Sequence, residues 1–190
     1  MDVVQRAKAM VVSPAAEWQA IEGESGDAPY LFVNYAAILA AIPPVCVFLG
    51  RELFGWRPRF GFHHLHHAGF FSGLFGALVH YLAVLATAYA MARIIDALAP
   101  TFLARENRES AMKLVVYSAT PVWLAGVFAL IPGLGFVRLI ALLYSVYVFW
   151  LGLPVLMKPP PDRVGPYTAA AVVSGVVLAI VVAAIVGSLI

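Results

Sequence analysis

The stretch AMKLVVYSATPVWLAGVFALIPGLG, residues 111–135, decides how this chain folds. Its apolar part, residues 112–131, has roughly the 20 residues that a helix needs to cross the core of a bilayer. In hydrocarbon the backbone must satisfy its own hydrogen bonds, so this run is predicted to be a helix. The PGLG loop, residues 132–135, is so short that the spans on either side of it must be antiparallel neighbours.

The composition of the chain requires a lipid environment. Of its 190 residues, 63% are hydrophobic and 12% are charged, whereas soluble domains average about 45–50% apolar and about 25% charged residues. A soluble fold of this size cannot hide so much apolar surface, so the sequence predicts an all-α integral membrane protein. The strands of a β-barrel would alternate between apolar and polar side chains, and these apolar runs do not.

Five apolar runs are long enough to span a membrane. The sequence predicts a five-helix transmembrane domain, residues 30–190, after an N-terminal segment of residues 1–29. The predicted spans are residues 31–50, 69–91, 112–131, 134–157 and 167–190. Pro43 and Pro44 are predicted to kink the first span, Pro121 the third, and Pro154 the end of the fourth.

The distribution of lysine and arginine predicts the orientation in the membrane. The side of the N-terminus carries more of these residues, and the richer side is cytoplasmic by the positive-inside rule. That side carries Arg6, Lys8, Arg93, Arg105, Arg108, Lys113, Lys158 and Arg163, and the other side carries Arg51, Arg57, Arg59 and Arg138. The N-terminus is therefore predicted in the cytoplasm and, after five spans, the C-terminus outside.

The N-terminal segment is predicted to form two short amphipathic helices on the cytoplasmic face. In the first, an apolar stripe runs beside Arg6 and Lys8, which is typical of a helix at the lipid surface. Ser13 and Pro14 suit the N-cap and the first residue of a second helix. Trp18, on that second helix, is predicted at head-group depth.

Several functional classes are not indicated by the sequence. The motifs H-E-x-x-H and G-x-S-x-G and a glycine-rich phosphate loop are missing, so we do not expect an enzyme. The carboxylates of the N-terminal segment and those of Glu106 and Glu109 are predicted on solvated faces. The net charge of +2 is too small to indicate nucleic acid. Cys46 is the single cysteine, so an intramolecular disulfide is excluded.

Polar side chains at membrane depth form a first candidate site. His80 lies near the middle of the second span, where a titratable group is a functional-site hypothesis. Two interpretations are open: the polar groups glue helices together by hydrogen bonds, or they line a permeation path. The other members of this midplane set are in spans three and four: Tyr117, Ser118, Thr120, Tyr144, Ser145 and Tyr147.

A second candidate site lies in GFHHLHHAGFF, residues 61–71. Its histidines are His63, His64, His66 and His67. On a helix, His63 and His67 would be four residues apart, close enough to share a zinc, nickel or copper ion. The alternative is an interfacial band in which the imidazoles lie at head-group depth among neighbouring phenylalanines. No other cofactor is indicated.

Span five carries a small residue at every fourth position. These residues are Ala171, Gly175, Ala179, Ala183 and Gly187. Such a stripe lets two helix backbones approach closely, so it predicts a packing face within the bundle or in a homo-oligomer. The alternative is a chance pattern in a helix rich in alanine and valine.

Three segments together resemble a known family. They are SPAAEWQAIEGE before the first span, residues 111–135 around the third, and LIALLYSVYVFWLGLPVLMKPP through the fourth. Their order, with five spans and a cytoplasmic N-terminus, resembles the bacterial branch of the YIP (Ypt-interacting protein) domain family over nearly the whole chain. The elements YSATP and LYSVY…GLP are the most specific part of the resemblance.

The resemblance implies a five-helix bundle in a bacterial inner membrane, with a cytoplasmic N-terminal segment. Eukaryotic relatives are implicated in Golgi and secretory traffic with Rab-type GTPases as partners, a system that bacteria lack. The expected role is therefore a scaffold or adaptor that binds or organises membrane components, with lipid, a protein or a second copy as partner. The alternative is a transporter or small channel with a polar path near His80 and the tyrosines of spans three and four.

Overall fold

The computed structural model describes residues 2–24, 27–54, 69–131 and 133–189. Within these ranges every regular element is helical, and five helices are long and apolar enough to cross a membrane. The protein is therefore an all-α membrane protein with five candidate spans, as the sequence predicts.

Two short helices precede the five spans. Helix α1 covers Val3–Val12 and helix α2 covers Pro14–Gly23. The spans are α3 (Ala28–Leu53), α4 (Phe70–Phe102), α5 (Arg108–Leu130), α6 (Gly135–Leu156) and α7 (Val164–Leu189). Successive spans run in opposite directions, so α4 and α6 end on the side where α3, α5 and α7 begin. We call this side the N-terminal side.

Prolines coincide with interruptions in two of the spans. Span α3 has a turn at Ala41 before its last helical part, Ile42–Phe54, which contains Pro43 and Pro44. Span α5 is interrupted at Ala119, two residues before Pro121. A proline ring clashes with the preceding helical turn and lacks an N–H donor, which explains both interruptions. Span α6 continues through Pro154 to its last residue, Leu156.

Span α5 is the central helix of the bundle. In its most apolar stretch 67% of the residues are buried, against 6% in α4 and 6% in α7. It packs against α1, α3, α4 and α6. Spans α4 and α7 pack against each other and leave most of their apolar side chains on the outside, where lipid covers them.

Helices α1 and α2 form a hairpin that lies against α5 and α6 and reaches the middle of the bundle. Near its tip, the hydroxyl of Tyr144 donates a hydrogen bond to the carbonyl of Val11 at 2.7 Å. Tyr144 precedes the end of α6 at Leu156 by 12 residues, which corresponds to about 18 Å of helix. The whole of α6 has 22 residues, or about 33 Å.

The position of this hairpin differs from the sequence prediction. Both helices form, but α1 buries Ala7 and Met10 of its apolar stripe, together with Arg6, against the other helices, while Val4 and Val11 stay exposed. The sequence places the same stripe on a lipid surface. An apolar stripe can be buried against protein or against lipid, so the pattern alone does not show which of the two it contacts.

Spans α3 and α5 approach closely where they cross. A Cβ atom on Gly126 would lie 2.7 Å from the Cα of Pro43. Further along the same two helices, a Cβ atom on Gly50 of α3 would lie 2.9 Å from the carbonyl oxygen of Ala129 on α5. Both distances join a side-chain atom to rigid backbone, so only glycine permits this crossing.

We expect Gly126→Ala to lower the free energy of unfolding by about 1–3 kcal/mol, because the added methyl group forces the two backbones apart. Thermal unfolding in detergent micelles measures the effect. Gly135→Ala is the control, since a Cβ atom there would meet nothing within 4 Å. Equal melting temperatures for Gly126→Ala and the wild type would contradict the close crossing.

Candidate functional site

A group of charged side chains around the buried Arg6 holds the hairpin in the bundle. Arg6 on α1 is 3% exposed, and its two terminal nitrogens donate to the carboxylates of Glu17 and Glu24. Its guanidinium lies over the ring of Tyr117 on α5, 5.6 Å from the ring centroid. With Lys113, these residues form what we call the Arg6 cluster. The cluster connects both arms of the hairpin to the central helix.

Lys113 connects α5 to the end of α2. Its ammonium donates to the backbone carbonyl of Glu24 at 2.7 Å and pairs with the carboxylate of Glu109, one turn earlier on α5, also at 2.7 Å. Glu24 is the C-cap of α2. A cation at a helix C-terminus is favoured by the partial negative charge of the last carbonyls, so this contact stabilises the end of the hairpin.

Arg6 keeps its charge in this setting. Burial alone lowers the pKa of Arg6, but the hydrogen bond with Glu24 and the negative charges of Glu24 and Glu17 outweigh burial and raise that pKa above its ordinary value. A buried charge is tolerated only when it is paired and hydrogen-bonded. The cluster meets this condition, and it can hold ions or polar groups in an otherwise apolar bundle.

Trp18 fixes the other face of the hairpin. Its side chain is 0% exposed, and the indole N–H donates to the carbonyl of Val148 on α6 at 3.0 Å. A Cβ atom on Gly152 would overlap the indole ring, so glycine makes room for it. The sequence predicts Trp18 at head-group depth, but the residue lies inside the bundle, where its N–H finds a protein carbonyl.

A hydrogen bond between hydroxyl groups extends the polar region to α3. The hydroxyls of Tyr35 and Thr120 are 2.8 Å apart, and both residues are buried. The rings of Tyr35 and Tyr117 meet edge to face, with centroids 4.9 Å apart. The three helices α1, α3 and α5 therefore meet at this point through polar and aromatic contacts.

Two cavities adjoin the Arg6 cluster on the N-terminal side, and Glu24 and Lys113 line both of them. The first, of about 310 Å³, lies between α1, the beginning of α3 and α5, and we call it the Arg6 cavity. The second, of about 260 Å³, lies between α2, α5 and the end of α6, where Arg105 and Lys158 also line it.

The predicted midplane set is divided among different contacts. Thr120 binds Tyr35, Tyr117 belongs to the Arg6 cluster, and Tyr144 donates to the tip of the hairpin. Tyr147 is 51% exposed. The first three residues therefore join helices to one another in the structure.

The remaining members of the midplane set have no hydrogen-bond partner among the described residues. Ser118 and Ser145 are buried, and their hydroxyls are unpaired. His80 is partly exposed on α4 and makes no hydrogen bond within the described part of the chain. A permeation path through these residues stays a prediction.

The histidine cluster, His63, His64, His66 and His67, lies outside the residues that the structure describes. Among the described residues, no group of three or more histidine, cysteine, aspartate and glutamate side chains is placed to hold a metal ion. Zinc, nickel or copper binding by the cluster stays a prediction.

The small-residue stripe of α7 is packed at its beginning and uncovered further along. Ala171 is 1% exposed, and a Cβ atom on Gly175 would lie 3.7 Å from the Met91 side chain of α4. Ala179 and Ala183 are exposed, and a Cβ atom on Gly187 would meet nothing within 4 Å. Packing along the full length of the stripe stays a prediction.

Sequence reasoning misses the residues that matter most in this site. The sequence places Arg6 on the polar face of a surface helix and Glu17 on a solvated face, whereas the structure shields both side chains; Glu24 is 44% exposed, as expected for a solvated face. A signal was present in the balance of charge. A helix on an anionic membrane surface is rich in basic residues, whereas carboxylates outnumber basic residues in this segment. The carboxylates are Asp2, Glu17, Glu22, Glu24 and Asp27, and the basic residues are Arg6 and Lys8.

The fold and the cluster together define a class: a five-span helical membrane protein with an N-terminal helical hairpin built into its bundle. The model of the Yip1 domain matches residues 8–185, and the chain belongs to this family. The resemblance to YIP proteins predicted from the sequence is thereby confirmed.

Two relatives carry the name "Inner membrane protein YohC", one from Escherichia coli strain K12 and one from Escherichia coli O6:H1 strain CFT073. Each is 29% identical to this chain over 168 residues, which cover 87% of this chain and 85% of the relative. No solved structure matches the chain. The similarity therefore extends over most of the chain, and the relatives are inner-membrane proteins by name.

We expect Arg6→Ala to lower the free energy of unfolding by about 3–5 kcal/mol, because it leaves the Glu17 carboxylate buried without its partner. Lys8→Ala is the matched control, since Lys8 is an exposed base on the same helix. Thermal unfolding in detergent micelles compares the two variants. If Arg6→Ala and Lys8→Ala have the same melting temperature, the cluster does not stabilise the fold.

Proposed function

We propose that the protein acts without catalysis, as a scaffold or adaptor that binds or organises components of the bacterial inner membrane. The main support is the way the interior is filled. A transporter needs a wetted polar cavity at the midplane, whereas a scaffold needs only packed helices. At the midplane of this bundle, the tip of the hairpin is bonded to α6 through Tyr144 and Val11, and α3 is bonded to α5 through Tyr35 and Thr120.

The cavities that adjoin the Arg6 cluster support the same proposal. Both are lined by charged side chains at the N-terminal end of the spans, where lipid head groups and soluble domains meet the protein. Groups at this level recognise partners at the membrane surface. Membrane lipid, a protein or a second copy of this chain are the partners of such a scaffold.

A thiol-accessibility experiment tests the packed interior. Ser118→Cys and Ser145→Cys replace buried hydroxyls in the middle of α5 and α6 with side chains of nearly the same shape, in a Cys46→Ser background. We expect neither thiol to react with a membrane-impermeant maleimide in native membranes, because water does not reach it. Mass spectrometry measures the labelled fraction.

The control for this experiment is Ser72→Cys, which replaces an exposed serine at the beginning of α4. This thiol should react fully without denaturant. Rapid labelling of position 118 or 145 from either side would reveal a water-filled path and contradict the proposal in favour of a transporter or channel.

We propose further that the N-terminal side faces the cytoplasm and that the C-terminus lies outside. The support is the excess of lysine and arginine on the N-terminal side. Asp162→Cys, between α6 and α7, and Ser188→Cys, near the end of α7, place exposed thiols at opposite ends of one span. In intact spheroplasts an impermeant reagent should label only position 188. Labelling of position 162 instead would reverse the orientation.

A further inference from the structure

The Arg6 cavity has the size and the lining of a head-group site. Its volume of about 310 Å³ is at the lower end of the range for small-molecule sites, about 300–1,000 Å³. Charged side chains lie beside apolar and aromatic ones in its wall. The residues used below are Arg6, Asp27, Asn34, Tyr35, Lys113 and Tyr117.

Donors remain free on the basic side of the cavity. A guanidinium has five N–H groups, and Arg6 uses two of them for Glu17 and Glu24, which leaves 5 − 2 = 3. An ammonium has three, and Lys113 uses two, for the carbonyl of Glu24 and the carboxylate of Glu109, which leaves 3 − 2 = 1. Hydrogen bonds from charged donors such as these are the ones that a phosphate group accepts.

Two polar groups in the cavity wall have no partner among the described residues. Asp27 is exposed and makes no ion pair with another described residue. Tyr117 is 8% exposed, and its hydroxyl makes no hydrogen bond within the described part of the chain, although the residue lines the cavity. The Asp27 carboxylate can therefore attract an ammonium group by its charge, and the Tyr117 hydroxyl, next to Arg6, can donate a hydrogen bond to a phosphate oxygen.

The backbone of α3 is irregular at the same cavity. Residues Phe32–Ala36 form a π-helical turn, and two of them, Asn34 and Tyr35, line the cavity wall. Such turns are rare and frequently occur at functional sites. The irregular turn gives a second indication, independent of charge, that this part of α3 is shaped for a ligand.

We propose that the Arg6 cavity binds a phosphoethanolamine group, a phosphate joined to a primary ammonium. This inference rests on the proposed function and names the lipid class that the scaffold binds, phosphatidylethanolamine. The phosphate lies against Lys113 and Arg6, and the ammonium donates to Asp27. Two basic and two acidic side chains line the cavity, so a ligand without net charge matches it better than an anion.

Calorimetry on the purified protein in detergent tests the site with four probes. These are short-chain phosphatidylethanolamine, phosphatidylcholine and phosphatidylglycerol, and soluble phosphoethanolamine. We expect phosphatidylethanolamine to bind about tenfold more tightly than the other two lipids, because phosphatidylcholine has no N–H for Asp27 and phosphatidylglycerol has no cation. Soluble phosphoethanolamine should compete if the head group alone is recognised. If the lipid binds and soluble phosphoethanolamine does not compete with it, the ligand is the membrane lipid and not the free head group.

Two variants assign the binding to this cavity. Asp27→Asn should weaken phosphatidylethanolamine binding about tenfold, and Tyr117→Phe about threefold, because each removes one polar contact. The controls are Asp162→Asn and Tyr147→Phe, exposed residues of the same types away from the cavity. A melting temperature equal to the wild type shows that each variant is folded.

Three outcomes would overturn the inference. These are equal binding of phosphatidylethanolamine and phosphatidylcholine, tighter binding of phosphatidylglycerol, and unchanged binding by Asp27→Asn and Tyr117→Phe. A third variant covers a fold effect at Tyr117: Asn34→Ala, on the cavity wall, should also weaken binding. Failure here leaves the thiol-accessibility result on the packed interior unaffected, so the two proposals are tested separately.

Discussion

The ion pairs of Arg6 are the constraint on which the rest of the structure depends. A single guanidinium inside a helical bundle is costly unless carboxylates neutralise it, and Glu17 and Glu24 come from the other arm of the same hairpin and from its end. The hairpin itself therefore supplies the carboxylates that neutralise Arg6. Its outer surface becomes apolar enough, through Met10 and Trp18, to pack against spans without leaving an isolated charge in the interior.

The central helix is organised around this insertion. Span α5 supplies Lys113 at the N-terminal end, Tyr117 one turn deeper, and Thr120 just after the interruption at Ala119. Polar contacts thus become fewer and less charged with increasing depth, in keeping with the rising cost of leaving a polar group unpaired. Beyond Pro121 α5 buries Trp123 and the small residues Ala125 and Ala129, and Gly126 lets the backbone of α3 come close.

The sequence predicts the spans well and the hairpin only in part. Runs of about 20 apolar residues without alternation identify membrane helices, because only helices and closed β-barrels satisfy the backbone in lipid. The interruptions near Pro43 and Pro121 follow from local sterics. The position of Trp18 could not be predicted, because its acceptor belongs to Val148, 130 residues away. The partners of Arg6 could not be predicted either, because amphipathic periodicity shows which face of a helix is apolar and not which residues contact that face.

The separation of 130 residues between Trp18 and its acceptor has a consequence for biosynthesis. The groove that receives the hairpin is built from α5 and α6, so it does not exist when the hairpin leaves the ribosome. At roughly 5–20 residues per second, translation takes on the order of ten seconds to supply it. A membrane surface can accept the apolar stripe of an amphipathic helix during this delay, before the stripe packs against protein. Docking is then a late, slow step, as expected for contacts so distant in sequence.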